Sequence, residues 1–138
     1  MLVPSRSKHR KMQKGRVQSN SKGGTELAFG SFGLKALQMS RITSRQLEAA
    51  RVAATRYMQR KGKLWIKIFP SIPVSKRPPE VRMGKGKGSP EYFVFRVSPG
   101  RIVIEVDGVS EADAIRALEL AGGKMPFRTK ITSRKEII

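Results

Sequence analysis

The sequence contains no cysteine and a single histidine, which excludes disulfide bonds and thiolate metal sites. His9 lies in a basic terminal stretch, so we expect no metal site and no cofactor. No run of about 18 apolar residues occurs, so the sequence predicts no membrane-spanning helix. The first residues lack the apolar centre of a secretion signal, and we expect a cytosolic or equivalent compartment.

Acidic residues are scarce, above all in the first two-thirds of the chain. The 138 residues include 29 lysines and arginines but 10 acidic residues, a net charge of +19. Residues 1–90 contain 21 basic and 3 acidic residues, whereas residues 91–138 contain 8 and 7. This asymmetry predicts a surface that binds a polyanion. Nucleic acid is favoured over an anionic membrane, because no helix of the basic half pairs a lysine-rich face with a bulky aromatic face.

The length predicts one domain with its own core. Residues 1–24 form a basic arm with seven lysines and arginines and no acid. It has little to bury, so we expect it to order only when it threads between phosphates; the alternative is a merely solvated terminus. Residues 25–138 form a single α+β domain, with two helices on a mostly antiparallel sheet.

The clearest element is an amphipathic helix over residues 44–61. Thr43 and Gln46 predict a capping box at its start, and Gly62 is placed to end it. The predicted inward face consists of Leu47, Ala50, Ala54, Tyr57 and Met58. The opposite side, within about 60° on the helical wheel, carries Arg45, Arg56 and Arg60. These arginines either form an ordinary solvated face or contact phosphates, and the scarcity of acids in the helix makes the two readings equally good.

Alternating or apolar patterns predict strands over residues 64–69, 91–97, 101–106 and 125–131. The middle two are joined by Ser98-Pro99-Gly100, a turn signal, and we expect them to form an antiparallel hairpin. Ser110 should cap a second helix that ends at Gly122 and Gly123.

Two Phe-Gly pairs, Phe29-Gly30 and Phe32-Gly33, begin the domain and predict strand pieces with a bulge or a tight bend. The two aromatic rings could provide a platform on which bases stack. Phenylalanines more often belong to the core, and we expect both there.

Residues 71–90 form a long irregular connection with four prolines and the run GKGKGS. A Walker-type phosphate loop needs a lysine followed by Ser or Thr at the start of a helix, but these lysines precede glycines and Pro90 leads into a strand. A dinucleotide-binding GxGxxG also fails, because residue 89 is serine. We interpret the run as a basic tip that contacts nucleic acid, with an ordinary surface loop as the alternative.

The sequence offers no catalytic residues. No two carboxylates have a spacing that argues for a general acid and base, and the serines lack a partner because His9 lies in the arm. We therefore expect no enzymatic activity and no small-molecule substrate.

Several motifs follow one another along the chain: PSRSKHRK (4–11), FGSFGLKA (29–36), RQLEAAR (45–51), GKLWIKIFP (62–70), RMGKGKG (82–88) and KMPF (124–127). In this order the chain resembles the bacterial and organellar family of large-subunit ribosomal protein L-sixteen over nearly its whole length. Ser71, Phe93 and Arg96 are small departures from the usual family pattern.

The resemblance implies a hammerhead-like α+β fold embedded in large-subunit rRNA at the base of the central protuberance, in a bacterial (cytoplasmic) or organellar ribosome. It also implies neighbouring large-subunit proteins as partners, tRNA contact near the aminoacyl site and the peptidyl transferase centre, and a role in late subunit assembly. The expected rRNA-binding residues are Arg6, Lys8, Arg10, Lys11, Lys14, Arg16, Arg45, Arg56 and Arg60. The loop expected to face tRNA carries Arg82, Met83, Lys85 and Lys87. Composition alone leaves one alternative, a non-ribosomal RNA- or DNA-binding accessory protein of the chaperone type.

Overall fold

The computed structural model describes residues 23–75 and 90–134. Within these two stretches the fold is α+β, as predicted, with seven strands and two helices. In chain order they are β1 (Phe32–Ala36), β2 (Ser40–Thr43), α1 (Ser44–Tyr57), β3 (Lys63–Ile66), β4 (Ile72–Ser75), β5 (Pro90–Val97), β6 (Ile102–Asp107), α2 (Glu111–Gly122) and β7 (Thr129–Ser133). No helix of the described stretches is long and apolar enough to cross a membrane.

The strands form two antiparallel sheets, one with the order β3-β6-β1-β7 and one with the order β2-β5-β4. In the four-stranded sheet, Leu34, Ile104 and Val106 are buried in the core shared with the two helices. Because side chains alternate along a strand, Glu105 and Asp107 lie on the opposite, outer face. Pro73 is tolerated in β4 because β4 is an edge strand of its sheet.

Helix α1 begins where local chemistry predicts. The Thr43 hydroxyl accepts a hydrogen bond from the Gln46 backbone N–H at 3.2 Å, and the Gln46 side chain accepts one from the Thr43 N–H at 2.9 Å. Leu47, Ala50 and Ala54 are fully buried, so the predicted inward face is confirmed at these positions. This face packs α1 against α2.

The end of α1 was predicted wrongly. The helix ends at Tyr57 rather than at residue 61, and Tyr57 is 42% exposed instead of facing inward. Gln59 and Arg60 then adopt positive φ angles of 53° and 62°, in the left-handed region that side chains seldom occupy. These residues turn the chain towards Gly62, where a Cβ would lie 2.4 Å from the Asp107 carbonyl oxygen. The helix stops early because the chain must reach the sheet edge where Lys63 faces Asp107.

The predicted hairpin of residues 91–97 and 101–106 does not form, because β5 and β6 belong to different sheets. β5 lies between β2 and β4, while β6 lies between β3 and β1, so each already has both edges occupied. The turn between them redirects the chain from one sheet to the other. There, Gly100 has a φ of 93° and donates its N–H to the Ala36 carbonyl at 2.8 Å.

The structure confirms the second predicted helix, but the bounds of the remaining strands and of the long connection differ from the prediction. β3 ends at Ile66, and the final strand runs from Thr129 to Ser133 instead of over residues 125–131. The supposed irregular connection 71–90 contains β4 and the first residue of β5, and residues 76–89 lie outside the described stretches. The second helix is confirmed, with the Ser110 hydroxyl accepting the Asp113 N–H at 3.3 Å and Gly123 at its end.

Residues 23–31 cross the outer face of the four-stranded sheet. The Gly24 carbonyl accepts the Ile102 N–H at 2.7 Å, and Ser31 donates its N–H to the Val106 carbonyl at 3.1 Å. Gly33 leaves room for this crossing, because a Cβ there would lie 2.5 Å from the Leu27 side chain. The crossing segment covers Glu105, which is fully buried.

Candidate nucleic-acid interface

The outward side of α1 carries the predicted arginines. Arg45 and Arg56 are exposed, and their separation of eleven residues brings both to nearly the same side of the helix, about 16 Å apart along its axis. Arg60 is also exposed, but it follows the helix instead of belonging to it. Its position on this surface is set by the left-handed turn and not by helical spacing.

A shallow depression of about 440 Å³ lies along the end of α1. Its lining consists of Arg51, Val52, Thr55, Arg56, Gln59 and Arg60. The structure therefore brings Arg56 and Arg60 together, whereas Arg45 is not part of the lining. Arg51 is a lining residue that the sequence prediction missed, because it lies about 140° from Arg56 on a helical wheel, outside the predicted arginine cluster.

One acid on the helix is already engaged. The Arg51 guanidinium donates to both carboxylate oxygens of Glu48, with Nε 3.2 Å from each. This hydrogen bond lowers the pKa of the Glu48 carboxyl from its ordinary value of 4.5 and raises the pKa of Arg51. Within the described part of the chain, no acidic side chain pairs with Arg45, Arg56 or Arg60.

This surface suits phosphate groups. A guanidinium presents planar N–H donors that match two phosphate oxygens at once, and it stays charged at all physiological pH values. Arg56 and Arg60 lie beside a shallow depression, and Arg45 lies about three helical turns from Arg56. Together these guanidinium groups can follow a phosphate backbone. In residues 23–75 and 90–134 there is no group of three or more metal-ligating side chains.

The other predicted nucleic-acid residues lie outside the described stretches and remain predictions. They are Arg6, Lys8, Arg10, Lys11, Lys14 and Arg16 of the arm, and Arg82, Met83, Lys85 and Lys87 of the loop.

The two N-terminal phenylalanines take different positions. Phe32 is partly buried and packs against the core, as expected. Phe29 is 58% exposed, so its predicted place in the core is wrong. Its ring stacks on Trp65 with a centroid distance of 5.8 Å and an interplanar angle of 25°. It lies outside because its backbone is bonded to Glu105 on the outer face of the sheet.

Comparison with known proteins places these features in a family. Residues 4–132 match the family described as Ribosomal protein L16p/L10e. The chain is 66% identical over 136 residues to the large ribosomal subunit protein uL16 of Orientia tsutsugamushi (strain Boryong), covering 99% of this chain and 100% of that protein. With the same coverage, it is 63% identical to uL16 of Rickettsia peacockii (strain Rustic) and 62% identical to uL16 of Rickettsia massiliae (strain Mtu5). The resemblance found in the sequence motifs is confirmed.

Proposed function

This chain belongs to the ribosomal protein L16p/L10e family, and we propose from that membership that it is a structural component of the large ribosomal subunit that binds large-subunit rRNA. The proposal includes contacts with neighbouring large-subunit proteins and with tRNA near the aminoacyl site and the peptidyl transferase centre. It also includes a role in late subunit assembly. The ribosome would be that of a bacterial cytoplasm or of an organelle.

The observation that carries rRNA binding is the surface of exposed arginines at α1. Arg45, Arg56 and Arg60 have no acidic partner among the described residues, and the helix that carries the first two is fixed by its buried face. A rigid cationic surface in a ribosomal protein family is expected to bind RNA backbone through phosphate contacts. Affinity should then fall steeply as salt rises, because phosphate contacts release counterions.

A triple substitution tests this role. We expect Arg45→Gln/Arg56→Gln/Arg60→Gln to weaken binding to a large-subunit rRNA fragment and to reduce the salt slope of log K by about 2 to 3 units, since each lost phosphate contact removes slightly less than one. The matched control is Lys124→Gln/Arg128→Gln/Lys130→Gln, which removes the same charge from exposed positions near α2 and β7. Equal losses for the two triples would mean that net charge, and not the α1 surface, governs binding.

The tRNA contact rests on the family and on the basic loop residues Arg82, Met83, Lys85 and Lys87. A photo-crosslinking residue at position 83, in intact ribosomes with tRNA in the aminoacyl site, should label that tRNA. The same residue at position 119, on the exposed side of α2, serves as the control and should not. Labelling of rRNA and proteins alone from position 83 would reject the tRNA contact.

An accessory protein outside the ribosome remains the rival function. Sedimentation of a lysate separates the two, because a subunit component travels with intact large subunits and moves to light fractions after nuclease treatment. A protein found in light fractions while the ribosomes are intact would contradict the proposed function.

A further inference from the structure

We propose that the outer edge of the four-stranded sheet at β3 binds one unpaired nucleotide of RNA, with its base stacked on Trp65 and its phosphate near Lys63. We call this place the β3 edge site and define it by Gly62, Lys63, Trp65, Asp107 and Gly108, with Phe29 behind the tryptophan. It lies on a different element from the arginines of α1. The inference rests on the proposed function in that it takes RNA as the partner.

A layered stack of side chains forms one wall of the site. Phe29 stacks on Trp65, and the Lys67 ammonium lies 4.0 Å from the centroid of the Phe29 ring. Phe29 is 58% exposed and Trp65 is partly exposed, so aromatic surface faces water at a sheet edge. Exposed aromatic rings beside lysines are the features on which single-stranded nucleic acids stack, since every base has a π-face.

A buried carboxylate holds part of the stack in place. Glu105 is directly opposite Trp65 in the β3–β6 ladder, and one of its oxygens, Oε1, accepts the Phe29 N–H at 2.9 Å. Its other oxygen, Oε2, lies 3.7 Å from Lys67 Nζ. The Phe29 backbone and the Lys67 ammonium are therefore positioned by one buried carboxylate. A base that stacks here would bind with little ordering of the protein.

The space beside Trp65 has the dimensions and the polar groups that a nucleotide requires. The depression has a volume of about 490 Å³, within the range of about 300–1,000 Å³ found for small-molecule sites. Gly62 and Gly108 form part of its wall with backbone alone, and both have positive φ angles. A Cβ at Gly62 would lie 2.4 Å from the Asp107 carbonyl oxygen and one at Gly108 would lie 2.8 Å from the Gly62 Cα, so the close approach of the two segments requires both glycines.

Asp107 gives the site a preference among bases. Its Oδ1 accepts the Ser31 hydroxyl at 3.0 Å and the Gly108 N–H at 2.8 Å. Both bonds use Oδ1, so within the described residues Oδ2 is available to a ligand. A carboxylate oxygen accepts hydrogen bonds from the exocyclic amino groups of cytosine, adenine and guanine, whereas uracil offers only its ring N3–H as a donor.

Charge favours RNA over a protein partner at this edge. Lys63 is exposed and has no acidic partner among the described residues, so it can approach a phosphate. The Lys67 charge is partly balanced by Glu105, which leaves Lys63 as the free cation of the site. The net charge of +19 adds attraction for a polyanion at longer range.

Trp65 provides the test because it is the single tryptophan of the chain. In the full-length protein, cytidine trinucleotide should quench its fluorescence saturably, and uridine trinucleotide should bind several-fold more weakly. A signal that does not change with either oligonucleotide would overturn the proposal. So would emission that acrylamide cannot quench, because another part of the chain would then occupy the site. Equal binding of the two trinucleotides would overturn the role of Asp107.

Substitutions separate stacking from folding. With a labelled cytidine oligonucleotide, Trp65→Leu should lower affinity about 5- to 100-fold, as expected for the loss of one base–aromatic stack, while Trp65→Phe should retain most of it. Lys63→Gln should weaken binding and Lys124→Gln, an exposed lysine elsewhere, should not. Thermal melting of each variant reports on the fold. Wild-type affinity in a folded Trp65→Leu protein would overturn the proposal.

The triple substitution at α1 distinguishes this inference from the proposed function. Quenching of Trp65 should persist in that variant, because none of the three arginines lines the β3 edge site. If the trinucleotide does not quench Trp65 fluorescence but the α1 variant binds rRNA more weakly than the wild type, the β3 edge site is rejected and the ribosomal role stands. A normal quench in a protein that never sediments with large subunits would reject the ribosomal role instead.

Discussion

Glu105 and Arg134 bind the same short stretch of backbone from its two polar sides. Oε1 of Glu105 accepts the N–H groups of Ala28, Phe29 and Gly30, each at 2.9 Å. The Arg134 guanidinium donates to the carbonyls of Gly30 and Ala28 at 2.9 and 3.0 Å. The segment that crosses the outer face of the sheet is thus attached to the middle of β6 and to the residue that follows β7.

The buried carboxylate should contribute strongly to stability. We expect Glu105→Gln to lower the free energy of unfolding by about 2–3 kcal/mol, because three N–H groups lose a charged acceptor and Lys67 loses its partner. Urea denaturation measures the loss. The control is Glu119→Gln, which removes an exposed ion pair with Arg116 and should cost under about 1 kcal/mol. Equal losses of unfolding free energy in the two variants would show that the buried hydrogen bonds of Glu105 contribute no more than an exposed ion pair.

Three glycines differ in how strongly the backbone conformation and the surrounding space require glycine. Gly62 has a φ of 73° and no space for a Cβ, Gly100 has a φ of 93° with its nearest neighbour at 3.8 Å, and Gly23 has open space. Substitution by alanine should therefore destabilise most at Gly62, by about 1–3 kcal/mol at Gly100, and least at Gly23. Denaturation midpoints at constant m-value measure the order. A Gly62→Ala loss no larger than that of Gly100→Ala would contradict the close contact with Asp107.

The capping box of α1 gives a local test. Thr43→Ala should lower stability by about 1 kcal/mol, because the Gln46 N–H loses its acceptor at the first turn. Thr43→Ser keeps the hydroxyl and should retain most of the stability. If serine and alanine proved equally destabilising in urea, the loss would come from the threonine methyl group rather than from the cap.

The ion pair on α1 predicts a pH dependence of small size. The hydrogen bond from Arg51 lowers the pKa of Glu48 below 4.5, so the pair stabilises the fold above that pH and loses its effect as the pH falls through the lowered value. Because the pair is partly exposed, its contribution should stay below about 1 kcal/mol. Carboxyl NMR titration should show that Arg51→Gln moves the Glu48 pKa up towards 4.5. Arg116→Gln, which removes an exposed arginine of α2 paired with Glu119, should leave the Glu48 titration unchanged.

The predictable features are those set by neighbours in sequence. The start of α1 follows from Thr43 and Gln46, three residues apart, and its buried face follows from helical spacing. Its end follows from the contact of Gly62 with Gly108, which only the assembled sheet brings together. No pattern within the helix contains that information.

Partners in the sheets were the least predictable feature. The alternation in β5 and β6 and the turn between them were recognisable, and such neighbours often pair. Which edges are free depends on strands distant in sequence, since β6 lies between β3 and β1. The outward position of Phe29 has a similar cause, because the carboxylate that attaches its backbone is 76 residues away. At the candidate interface, helical spacing predicted the exposed arginines Arg45 and Arg56, whereas the position of Arg60 depends on the turn after the helix.

The strand order has a consequence for the newly made chain. Within the described sheets β1 pairs with β6 and β7, so the edge of Phe32–Ala36 that pairs with β7 stays unpaired until synthesis has passed residue 133. At roughly 5–20 residues per second, this delay lasts on the order of 5–20 s. During that time this edge of the first strand lacks its partner strand. The four-stranded sheet is thus completed only once β7, the last of its strands in chain order, has been made.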